Sequence, residues 1–132
     1  MKLAKVTALT ISHCLAITIG FVAGIYALPL LLAPEAPDNI AVAIASKDRQ
    51  FTGNFSRDRL DSDAFHWGDG ELSVGNQRIS FLGSLAPGPD YNLYLSPEFV
   101  ETKATFNQLK SSMALVGSVK TFDNFLLDVP SN

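Results

Sequence analysis

Sulfur, histidine and tryptophan are scarce in this chain. Its 132 residues hold one cysteine, Cys14, two histidines, His13 and His66, and one tryptophan, Trp67. A single cysteine excludes an intrachain disulfide. It also excludes every cysteine-based zinc, haem-attachment or iron–sulfur spacing. Charge is missing from Val6 to Leu32, "VTALTISHCLAITIGFVAGIYALPLLL", where no Asp, Glu, Lys or Arg occurs. Cys14 lies in that run, so the chain beyond Leu32 carries no thiol. There is no nucleophile elbow, phosphate loop or dinucleotide fingerprint. Gly68-Asp69-Gly70 supplies the first two glycines of a G-x-G, but it precedes a strand pattern instead of opening a helix, which voids a phosphate reading. Internal repeats and low-complexity tracts are absent too.

The uncharged run predicts a transmembrane helix over residues 6–32. At about 1.5 Å per residue it would be roughly 40 Å long, against a hydrocarbon core of about 30 Å. A secretory signal has a shorter apolar core, about 7–15 residues, followed closely by a small-x-small cleavage site. The nearest such site, Ala43-Ile44-Ala45, lies well past Leu32. The reading is therefore an uncleaved anchor, with a cleaved signal as the alternative. A lipoprotein is excluded by His13, too bulky beside Cys14. Lys2 and Lys5 precede the span, and Glu35 and Asp38 follow it. The positive-inside rule then keeps residues 1–5 cytoplasmic. The expected location is the inner (cytoplasmic) membrane, with a single pass and the domain in the periplasm or outside the cell. Gly20 and Gly24 form a GxxxG, a weak candidate for helix packing in the membrane. His13 sits near the cytoplasmic end, where its ring is tolerated.

Residues 33–46 read as a Pro-containing stalk, and 47–132 as an extracytoplasmic domain. Ile40–Ala45 could begin that domain or continue the stalk. From Gln50 onward apolar residues alternate: Phe51/Gly53/Phe55, Leu72/Val74, Ile79/Phe81/Gly83/Leu85, Tyr91/Leu93/Leu95 and Phe125/Leu127/Val129. Period two predicts half-buried strands. Gly75-Asn76 predicts a hairpin turn, Pro87-Gly88-Pro89-Asp90 a strong turn and Gly117-Ser118 a weaker one. Ser96-Pro97-Glu98 resembles a helix start, and Phe99, Phe106, Leu109 and Met113 share a helical face, so a short helix is expected between Pro97 and Ser112. The expected fold is all-β, a small antiparallel sandwich or barrel with one short helix, preceded by an N-terminal transmembrane helix. The strand-like 125–129 runs straight into Pro130, and a further strand or two is expected beyond Asn132.

Beyond Leu32 there are 8 Lys/Arg and 13 Asp/Glu, a net of −5. That balance argues against nucleic acid and anionic headgroups as partners, since both need clustered cations. The membrane itself is the one partner expected from the sequence. The polar stretch "FHWGDGE" draws attention next. His66 has Asp61, Asp63, Asp69 and Glu71 within ten residues. Yet Phe65 and His66 occupy positions where a calcium loop needs a ligand and a glycine, and zinc would need a second His or Cys. No metal site and no catalytic residue is assigned. His66, Trp67 and Asp69 remain weak binding candidates. The blander reading has His66 and Trp67 closing one end of the sandwich, with the imidazole bonded to backbone. The run Arg57–Asp63 reads as a solvated loop, with a glycosidase pair of carboxylates as a remote alternative.

Three phrases, "FHWGDGELSVG", "FLGSLAPGPDYNLYLSPEFVET" and "LVGSVKTFDNFLLDVP", resemble the bacterial branch of the DM-thirteen domain family, an electron-transfer domain often found beside DOMON domains. The similarity covers roughly Phe51 to Pro130. The resemblance implies a small β-domain, often membrane-anchored in bacteria, with a redox role. That role rests on a family cysteine near the domain's C-terminal end, acting as a thiol or holding a prosthetic group. No position here matches it, and the expectation is that the segment bearing it lies beyond Asn132. No cofactor is encoded by a motif in this chain. The expected function is therefore a redox or electron-transfer accessory module with a membrane or redox protein partner, with a non-catalytic binding or structural module at the membrane surface as the alternative.

Overall fold

The computed structural model describes residues 2–89 and 91–130. The chain divides into two units, Met1–Leu32 and Ala33–Asn132. The first is a single helix, α1 (Lys2–Leu32), long and apolar enough to cross a membrane. Its few polar side chains bond to its own backbone. Thr7, Thr10 and Thr18 donate to the carbonyls of Leu3, Val6 and Cys14, and His13 Nδ1 donates to Leu9 O at 2.8 Å. A lipid interior offers no water, so such internal bonds would make these residues acceptable in one.

The second unit begins with α2 (Asn39–Ala45), which lies within the segment read as stalk. Asp38 caps it, its Oδ1 accepting from Ala41 N at 2.7 Å. Strands β1 (Arg49–Phe55), β2 (Gly68–Gly75), β3 (Arg78–Leu85) and β4 (Tyr91–Leu95) follow. Then come α3 (Lys103–Leu109), a 3-10 turn (Lys110–Ser112), β5 (Ala114–Val119) and β6 (Phe125–Asp128). One antiparallel sheet has the order β1-β2-β3-β6, and β4 pairs β5 in a second. Leu72, Ile79, Phe81 and Phe125 from the first sheet meet Leu93 and Val119 from the second in one buried core. This is a sandwich, mostly β, with a short helix at each end of the sequence between α1 and β5. Phe81 is its centre: fully buried, stacked on Phe125 at 4.9 Å and edge-on to Phe55 at 5.5 Å.

Register explains two glycines. Gly70 and Gly83 face each other across β2 and β3, with the Phe81 ring over both. A Cβ on Gly83 would collide with Asp69 O, and Gly70 has φ +147. On the opposite face, α2 packs against β3 and β6, and Val42 is 3% exposed. Asn124 fastens that end. Its side-chain N–H donates to Pro37 O (3.1 Å) and Asn39 Oδ1 (2.9 Å), and its Oδ1 accepts from Gly83 N (3.1 Å).

Several local expectations need correction. The short helix lies within the expected span of Pro97 to Ser112, but its cap is Thr102 and not Ser96: Thr102 Oγ1 accepts from Thr105 N, while Ser96 Oγ bonds only Glu98 N in a turn leaving β4. Phe99 and Met113 fall outside it. Gly117-Ser118 is inside β5, not a turn, and residues 120–124 turn the chain into β6. The β2–β3 turn is Asn76-Gln77, one residue later than predicted, since Gly75 still pairs with Arg49. Gly88 lacks a positive φ; it is small because a Cβ would press on the Tyr91 hydroxyl, which donates to Ala86 O. Asp90 of that predicted turn lies outside the described residues. Finally, β1 is exposed along its whole length rather than half-buried.

Candidate functional site

The residues from Ser56 to Trp67 connect β1 to β2 and carry most of the polar chemistry. Asp63 closes a small turn on itself. Its Oδ1 accepts from the backbone N–H of Phe65 (2.7 Å) and of His66 (2.8 Å), and its own N–H donates to His66 O (3.0 Å). His66 Nδ1 adds a third contact to the same carboxylate at 3.0 Å. The imidazole hydrogen bond holds the Asp63 carboxyl below its ordinary value, and the Phe65 N–H lowers it further. The His66 ring therefore bonds a carboxylate, not backbone as expected, and stands 74% exposed.

Trp67 and Asp69 are brought together by a residue the sequence did not single out. The Arg57 guanidinium carbon lies 3.3 Å from the centroid of the Trp67 ring, and Arg57 Nε is 4.0 Å from Asp69 Oδ2. The flat guanidinium fits the aromatic face, where the ring quadrupole attracts it. Trp67 O accepts from Ala86 N at 2.9 Å, which fixes the ring's backbone to the end of β3. His66 takes no part in this stack.

A second cluster joins the same loop to residues 96–103. Arg59 reaches Glu101 at 3.9 Å, lies 5.1 Å from the Phe99 centroid and donates to Asn54 O at 3.2 Å. Asp61 Oδ2 accepts from Lys103 N at 2.6 Å. Phe55, Arg59, Asp61, Phe99 and Glu101 line a cleft of about 270 Å³. So the run Arg57–Asp63 is more than a solvated loop: four of its charged side chains tie it down. Nothing in the sequence pairs Asp61 with Lys103, 42 positions away. Asp61 and Asp63 serve different backbone N–H groups, which gives the hydrolase idea no shared geometry.

Among the described residues no group of three His, Cys, Asp or Glu side chains is placed to hold a metal ion. The thiol or prosthetic group that the resemblance implies finds no fit in residues 33–130. They contain no cysteine, and their one histidine is engaged with Asp63. In α1, a Cβ on Gly20 or Gly24 would meet nothing within 4 Å, so that face of the helix is bare. No family model, curated protein or solved structure matches the chain.

Proposed function

We propose that this chain is a non-catalytic binding module held at the bacterial cytoplasmic membrane by α1, its N-terminus inside and its DM-thirteen-like β-domain in the periplasm or outside the cell. One observation carries the reading. The Arg57–Trp67–Asp69 stack presents an exposed cation and an exposed carboxylate around a half-buried aromatic ring. Such mixed Trp/Arg surfaces suit recognition, where these residues dominate binding energy. Lys2 and Lys5 before the span, and its lack of charge, support the orientation. The test is affinity purification of the full chain from membranes in mild detergent. A specific membrane protein should be recovered with it, and Trp67→Ala should lose that partner. Recovery of the bare chain alone sinks the reading.

The redox accessory role is a second reading. It is favoured by the three phrases that carry the family resemblance, which supply most of β2 to β6 and five of the six buried residues of the core, all but Ile79. It requires a reactive thiol outside the membrane in the native protein. Labelling intact cells with a membrane-impermeant maleimide tests it, and absence of label removes it.

A further inference from the structure

β1 is an outer strand, paired with β2 alone, and every residue of it is exposed. Phe51, Gly53 and Phe55 pair with Val74, Leu72 and Gly70, so they share the face that holds the core. Phe55 leans edge-on to Phe81, but Phe51 is 69% exposed. Natural edge strands are usually protected by charge, proline or a bulge. The bulge here sits at the start of β1, between Arg49 and Phe51. From Thr52 to Phe55 the ladder is regular, uncharged and free of proline, and Arg59 reaches it only at Asn54 O.

Gly53 is the second observation. A glycine inside a strand weakens it, and often marks where another backbone comes close. The fold itself does not require this one, since a Cβ on Gly53 would meet nothing within 4 Å. The others are accounted for. Gly68, Gly70, Gly75, Gly83 and Gly88 are crowded by neighbouring atoms; Gly117 also meets open space, but it pairs with Leu93 where the β4–β5 register shifts.

Charge decides what approaches. Lys47 and Arg49 stand at the start of β1 and Arg57 and Arg59 follow its end, half of the 8 cations beyond Leu32; Arg57 lies 4.0 Å from Asp69 and Arg59 3.9 Å from Glu101. The Lys47/Arg49 end of the edge is thus locally basic on a domain of net −5. Among the described residues, Lys47 and Arg49 have no ion pair. A second copy entering antiparallel would bring the Arg49 end against the Arg57 end, cation against cation. An acidic chain meets unpaired cations at the Lys47/Arg49 end.

We infer that the free edge of β1 accepts an extended acidic segment of a partner polypeptide as an added strand. Its backbone continues the ladder, its apolar side chains cover Phe51 and the bare Gly53, and its carboxylates meet Lys47/Arg49. This deepens the binding-module reading by naming the partner's chemistry, and it rests on that reading. The probe is a dye-labelled heptapeptide of alternating valine and threonine with aspartate at both ends, titrated by anisotropy into the full chain in zwitterionic nanodiscs. The same peptide with lysine ends is the control. The aspartate-ended peptide should bind at least roughly tenfold tighter than the control and weaken as salt rises. Phe51→Ala, and the pair Lys47→Glu with Arg49→Glu, should each weaken it by about tenfold while the unfolding midpoint stays unchanged. Equal binding of both peptides, no binding of either, or a chain that dimerises through β1 and excludes the peptide would each overturn the proposal. If membrane partners are recovered with the chain but the peptide fails, the edge assignment is wrong and the binding module stands. If the peptide binds but no partner is recovered, the reverse holds.

Discussion

The two halves of the four-stranded sheet are built differently. Over β3 and β6 both faces are covered: Phe81 and Phe125 lie in the core, and α2 closes the other side. Over β1 only Phe55 reaches the core, edge-on to Phe81, and Phe51 stands in solvent. The same alternating pattern was written into both regions. Alternation states which side chains share a face; it does not state that the face has a cover. A sheet of two strands opposite a sheet of four must leave part of it bare.

The comparison can be broken by substitution. The largest contrast lies between two phenylalanines on the same face. Phe81→Ala should cost about 3–5 kcal/mol, because it empties the centre of the core. Phe51→Ala should stay within about 0.5 kcal/mol. Urea unfolding of the full chain in detergent measures both, and equal losses would mean that β1 is covered after all. Two glycines sharpen the contrast. Gly83→Ala drives a methyl into the β2 backbone and should cost about 1–3 kcal/mol. Gly53→Ala meets open space and should be neutral or stabilising by up to about 1 kcal/mol. A destabilised Gly53→Ala would show that its backbone, and not an absent neighbour, demands glycine.

The smallest effects are in pH. Asp63 has its pKa lowered from 3.8, so what its turn contributes is fully present above 3.8 and fades as pH falls through the lower folded value. The carboxylate is exposed, and the loss should be local: His66 ring resonances move below pH 3.8 while the global unfolding midpoint tracks that of Asp63→Ala. Tyr91 behaves oppositely. Burial raises its pKa above 10.0, so the unfolded chain ionises first and stability declines as pH rises past 10.0. Thermal unfolding near and above that value should show it, and Tyr91→Phe should remove the decline.

The strands with their own alternation, β1 to β4 and β6, were legible because period two is local. β5 was not: "ALVGSV" lacks alternation, and its glycine imitates a turn. The helix was found but its cap was misplaced, because Ser96-Pro97 has the composition of a cap without the backbone of one. At the site, Trp67 and Asp69 were legible as residue types, and Arg57 was not, since its stacking depends on a loop folding back ten residues. Asn124 was missed for the same reason. Its partners are Pro37 and Asn39 in one direction and Gly83 in another, all distant in sequence.

That asparagine has a mechanical consequence. A domain held by a tether is loaded where the tether enters. Here the entering chain is clamped at Pro37 and Asn39 to the turn before β6, and through it to the middle of β3. Tension applied at residue 33 is therefore resisted first by side-chain bonds seated on the sheet's centre. α2 and the strands behind it are relieved until Asn124 lets go. The clamp acts as a strain relief, so a pull on the leash need not reach the core.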